Sequence, residues 1–148
     1  MRNDPRALLK RAALLVVAFF LLMGFCGKVI ADELLKEQAV CYFKEALEAQ
    51  RSGDIDYAIS LYLKAIYTNP NYVKAYNNLG TAYAQKEDMG KAEEAYNQAI
   101  EIDPHYSTAL KNLAIIYAQR GDYDKSFDYW KRASGLDIYS PFIIDDEE

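Results

Sequence analysis

The chain has 148 residues, enough for one domain with a sizeable core, and carries a net charge of −5. Glycine (7) and proline (4) are sparse while Ala, Leu, Tyr, Lys and Glu abound, a composition that suits helices and not a β-sandwich. The charge is split: residues 1–31 hold Arg2, Arg6, Lys10, Arg11 and Lys28 against Asp4, net +4, which leaves −9 for the rest and argues against DNA or RNA as a partner.

Residues 12–27 (AALLVVAFFLLMGFCG) form an uncharged apolar run behind four basic residues. Such a run inserts into a bilayer with its basic flank on the cytoplasmic side, so the chain after it is expected to be exported, in a periplasmic or secreted space. Two readings stand for residues 1–31. A signal peptide is cut after small side chains, and Val29-Ile30-Ala31 before Asp32 fits such a cut. An uncleaved transmembrane anchor needs about 20 apolar residues, and the run reaches that length only past Lys28. A buried helix of a cytosolic protein fits less well, because the run has no polar face and three of its basic neighbours crowd one end. Lipidation at Cys26 is disfavoured by the bulky Phe25 before it. Cys26 and Cys41 form no CxxC motif and no Cys/His cluster, so neither a disulfide framework nor a metal site is expected.

Beyond residue 31 the sequence repeats. Ala58, Ala92 and Ser126 are 34 residues apart; so are Tyr62, Tyr96 and Trp130, and Ala65, Ala99 and Ala133. An earlier set, Tyr42, Tyr76 and Leu110 with Ala46, Gly80 and Ala114, keeps the same step. In the middle copy Tyr76, Leu79, Gly80 and Tyr83 lie on one helical face, and Ala92, Tyr96 and Ala99 lie on one face of a second helix. Glycine in mid-helix costs about 1 kcal/mol relative to alanine. Close packing of two helices at Gly80 and Ala92, with Tyr96 in the notch, supplies the reason to keep it. Gly53-Asp54 and Gly121-Asp122 are helix-to-helix turns, and Asn69-Pro70 and Asp103-Pro104 end helices. Residues 32–51 are expected to form the first helix of the first pair.

These residues resemble the tetratricopeptide repeat family. The middle copy matches its pattern nearly throughout. The third has Ile138 where proline is usual, and the first has Glu45 and Ala49 at positions usually taken by leucine and tyrosine. The resemblance implies an all-α fold: an α-solenoid of three helix–turn–helix repeats over residues 32–140 (39–72, 73–106 and 107–140), wound as a right-handed superhelix, with 141–148 as an acidic tail. It implies a protein-interaction scaffold without catalysis or cofactor, whose groove lies on the first helix of each pair.

On this chain that groove selects Lys44, Leu47, Lys74, Asn77, Asn78, Thr81, Lys111, Asn112 and Ile115. Asn78 and Asn112 stand in equivalent places before the leucine of the packing set, where an amide offers both donors and an acceptor to a peptide backbone. The competing reading is an ordinary solvated surface. The family's two-lysine carboxylate clamp is not reproduced, since Phe43 and Leu47 occupy its first-repeat positions, so chaperone tails are not the expected ligand. Residues 142–144 (Phe-Ile-Ile) either fold back over the last pair or leave its flank open to stack on a second copy. His105, the single histidine, follows Pro104 in a turn and is read as a surface residue rather than a catalytic one.

Overall fold

The computed structural model describes residues 5–135, with side chains placed at residue 23 and from residue 28 onward. Among these residues every regular element is a helix: α1 (Pro5–Ser52), α2 (Ile55–Thr68), α3 (Val73–Gln85), α4 (Met89–Ile102), α5 (Ser107–Gln119) and α6 (Tyr123–Ser134). The chain divides into two compact units, one up to Gln38 and one from Ala39 onward.

In the first unit α1 starts at Pro5, where a missing N–H costs nothing at the first helical position. The helix start expected at Asp32 is therefore not an element boundary. No proline interrupts residues 6–52, so nothing in the chain forces a break there. The described side chains up to Gln38 are exposed. Among the described residues no helix is long and apolar enough to cross a membrane. Apart from Met23, the side chains of the 12–27 run lie outside the described residues, as do the tail at 141–148 and the fold-back of residues 142–144.

The second unit is a stack of helix pairs, an all-α solenoid. The α3 helix packs on α4 and α5 on α6, while α2 meets α3 and α4 meets α5 at the junctions between pairs. The helix starts repeat with the sequence. Asp54, Asp88 and Asp122 are N-caps whose carboxylates accept from the backbone N–H of Tyr57, Lys91 and Lys125 at 3.1, 3.2 and 3.2 Å. Each such cap stabilises its helix by about 1 kcal/mol. The residue before each cap is left-handed: Gly53 at φ 90°, Gly121 at φ 80° and, at the middle turn, Glu87 at φ 62°. Asn69 and Asp103 leave α2 and α4 in extended conformation, as their following prolines require. The end of α6 differs, because Gly135 caps it in the left-handed region at φ 65°.

The core is built from small residues and rings at the 34-residue step. Ala46, Ala58, Tyr62 and Ala65 are fully buried in the first pair, and Ala92 and Ala99, with Tyr96 at 3% exposure, repeat them in the second. A Cβ placed on Gly80 would lie 2.6 Å from Tyr96 Cε1, 2.7 Å from Cδ1 and 3.0 Å from the carbonyl oxygen of Ala92. The glycine is thus the notch that receives the ring, as its position in the repeat predicts. In the third pair Ser126 stands in the alanine position and donates its hydroxyl to the carbonyl of Ala114 at 2.8 Å.

Candidate functional site

The first helices of the second and third pairs, α3 and α5, are linked by a polar seam. Asn77 is almost fully buried at 5% exposure, and its Oδ1 accepts from Nδ2 of Asn112 at 3.1 Å. A buried amide oxygen needs such a donor, since leaving it unpaired costs about 1–3 kcal/mol. Thr81, one turn on from Asn77, donates to its carbonyl at 3.1 Å and lies 3.2 Å from the Tyr96 hydroxyl. The same ring that fills the Gly80 notch therefore ends in a hydrogen bond at the seam. Burial pushes the Tyr96 hydroxyl pKa up while the Thr81 bond lowers it, and the phenol stays neutral at ordinary pH.

At the C-terminal ends of the first helices a second polar row runs from pair to pair. Tyr62 donates to Oε1 of Gln50 at 2.7 Å, and Gln50 Nε2 reaches Oε1 of Gln85 at 2.7 Å. Between the two polar rows opens a cavity of about 340 Å³, lined by Thr81, Ala84, Gln85, Met89, Tyr96, Asn112, Ile115, Ile116 and Gln119. Amides and hydroxyls on a partly apolar floor are what an extended peptide needs: partners for its backbone and space for alternate side chains.

Of the nine residues singled out from sequence, Thr81, Asn112 and Ile115 line this cavity. Asn77 lies beneath it, supporting Asn112. Asn78, expected as the equivalent of Asn112, instead turns its Nδ2 to the Lys74 carbonyl of its own helix at 2.8 Å. The two asparagines share a repeat position but not a hydrogen-bonding role, because Asn112 finds Asn77 across the junction. Leu47 packs against the core of the first pair together with Tyr42 and Phe43. Lys44, Lys74 and Lys111 are exposed, and Lys111 borders a different cavity between α5 and α6. The sequence reading missed Gln85, Gln119, Met89 and Tyr96. Gln85 and Gln119 keep the 34-residue step, a recurrence of polar residues at helix ends that was available to find them.

The junction between α4 and α5 is closed on the side of the second helices by Glu93. It accepts from the Tyr117 hydroxyl at 2.5 Å and pairs with Arg120 at 2.5 Å. The Tyr117 hydrogen bond, with the Arg120 bond and charge behind it, holds the Glu93 carboxyl below its ordinary pKa against the opposing effect of burial. The same bond pushes the Tyr117 hydroxyl up to about 12. Among the described residues no group of three or more His, Cys, Asp or Glu side chains is placed to hold a metal ion.

Two tetratricopeptide repeat family models match the chain, over residues 73–106 and 95–127. No curated protein matches. Among solved structures, the chain is similar to the crystal structure of MamA at 29% identity and TM-score 0.63, over 66% of this chain and 57% of that one. A second MamA crystal structure matches at 29% and 0.61, with 53% of its chain covered, so the chain spans little more than half the length of these relatives. The second TPR of Spaghetti (RPAP3), bound to the HSP90 peptide SRMEEVD, superposes at TM-score 0.66 over 72% of this chain and 97% of its own. At 22% identity that likeness carries the fold alone.

Proposed function

This chain is a tetratricopeptide-repeat protein, and from that premise we propose that it is a protein-interaction scaffold, without catalysis of its own, that holds a peptide segment of its partner between α3 and α5. The observation that carries this reading is the seam of Asn77, Asn112 and Thr81 beneath a 340 Å³ cavity rimmed by Gln85 and Gln119. The seam holds the Asn112 amide in place before a ligand arrives, which lowers the ordering cost of binding. The fold is one that the peptide-bound TPR of Spaghetti shares.

We further propose that the scaffold works on the far side of a membrane, delivered or tethered by residues 1–31. The support is the uncharged run at 12–27 behind Arg2, Arg6, Lys10 and Arg11. A second reading, an oligomerisation module that stacks through its last pair, is favoured by the exposed rings of Tyr123, Phe127 and Trp130 on α6.

Site-specific photo-crosslinking in the native host tests the groove. Gln119 lines this cavity and not the one between α5 and α6, and it is exposed, whereas Tyr67 on α2 is 90% exposed and lies outside both. A photo-reactive residue at 119 is expected to capture a heterologous protein that one at 67 does not. Equal capture from both positions, or capture only of the chain itself at 119, refutes the peptide groove.

A further inference from the structure

The third helix pair carries an unfinished junction. In the first two pairs the ring at the shared repeat position is covered: Tyr62 is 0% exposed and Tyr96 3%, with the first helix of the next pair lying over each. The third ring, Trp130, is 47% exposed. It borders a cavity of about 470 Å³ between α5 and α6, with Ile115, Tyr123 and Phe127 on its walls and Lys111 at its edge. The wall chemistry also departs from the inner junction. Glu93, which meets Tyr117 and Arg120 of the next helix, is replaced at the equivalent place by Phe127. The third surface is built for an apolar cover.

Charge narrows the occupant. Residues 107–134 hold five basic side chains (Lys111, Arg120, Lys125, Lys131 and Arg132) against Asp122, Asp124 and Asp128, net +2. Residues 32–106 hold seven basic against thirteen acidic side chains, net −6. Two copies meeting through their last pairs bring like charge to like. Residues 136–148, which lie outside the described residues, read LDIYSPFIIDDEE: an apolar Phe142-Ile143-Ile144 followed by four acids. That is the apolar and acidic pattern the surface complements.

The chain also leaves α6 in a way that suits a return. Gly135 takes φ 65°, where α2 and α4 exit through extended residues toward the next pair. A left-handed residue at this position turns the chain back across the helix end. From Ser134 to Phe142 eight residues span up to ~26 Å when extended. The whole of α6 back to Tyr123 is only ~16 Å long. Pro141 keeps the segment from covering the groove as another continuous helix, so an extended strap is what fits.

We propose that residues 141–146 of the same chain dock along the open groove between α5 and α6, with Phe142, Ile143 and Ile144 over Trp130 and the acids beside Lys111. Tethering favours this segment over any free competitor, since a short linker supplies a local concentration of about millimolar.

Trp130 is the single tryptophan of the chain and reports on its own cover. Acrylamide quenching of its fluorescence is measured on the full chain and on a variant carrying Phe142→Asp and Ile144→Asp. The full chain is expected to resist quenching at every protein concentration, and the variant to emit further to the red and lose that protection. Adding a peptide of residues 136–148 to the variant is expected to restore it. Identical quenching of the two proteins overturns the proposal, and so does protection that disappears on dilution, which assigns the groove to a second copy. Because the substitutions lie outside the helix pairs, an unchanged far-ultraviolet circular dichroism spectrum separates loss of cover from loss of fold.

Discussion

Replacing Gly80 by alanine sets two effects of opposite sign against each other. Alanine in mid-helix is favoured over glycine by about 1 kcal/mol. The new Cβ, however, falls 2.6 and 2.7 Å from two ring carbons of Tyr96, and 3.0 Å from the backbone oxygen of Ala92. The ring cannot swing clear, because it is 3% exposed and its hydroxyl is held at Thr81. Overpacking of this kind costs about 1–3 kcal/mol. The overpacking cost outweighs the propensity gain, and Gly80→Ala is expected to destabilise the unit by about 1 kcal/mol. Tyr96→Val removes both crowding carbons, at its own cost of about 2–4 kcal/mol in lost burial. In that background Gly80→Ala is expected to stabilise by about 0.5 kcal/mol, with the Ala92 contact trimming the full propensity gain. Urea unfolding of the four proteins, followed by circular dichroism, closes the double-mutant cycle with a coupling of about 1.5 kcal/mol. If Gly80→Ala stabilises the parent protein, or acts alike in both backgrounds, the ring-in-notch account of the solenoid is wrong.

Two further outcomes follow from the polar contacts. Asn112→Ala strands the buried Asn77 oxygen and is expected to cost about 1–2 kcal/mol in the same assay, whereas Asn78→Ala loses only a bond within its own helix and should stay within about 0.5 kcal/mol. Equal effects would show that the seam does not join the pairs. Glu93 has a folded pKa below its ordinary value, first through the Tyr117 hydrogen bond and then through Arg120. Its contribution is therefore present above the ordinary carboxylate range and lost as pH falls through the depressed value. The thermal midpoint is expected to drop between about pH 5 and pH 3, and Glu93→Gln should flatten that limb. An unaltered acid slope in Glu93→Gln places the titration elsewhere.

The sequence by itself determined the repeat and its local grammar. A 34-residue step in Ala58, Ala92 and Ser126, helical spacing within each copy and Asp or Asn beside Gly or Pro at four of the five turns specify six helix ends by short-range sterics and capping alone. Even Gly80 was legible, since a costly residue in a strong helix must answer to a close contact. The left-handed turn at Glu87 was less so, because the step that puts glycine at 53 and 121 puts a glutamate there. Only the tertiary structure decided which side chains share a partner. Asn78 and Asn112 occupy the same place in their repeats, yet one bonds to its own helix and the other crosses to Asn77. Tyr96 and Trp130 likewise share a position, but one is roofed by α5 and the other lies open. Periodicity assigns a residue to a face. What that face meets depends on the neighbouring pair, and the first and last pairs of a stack each lack one neighbour.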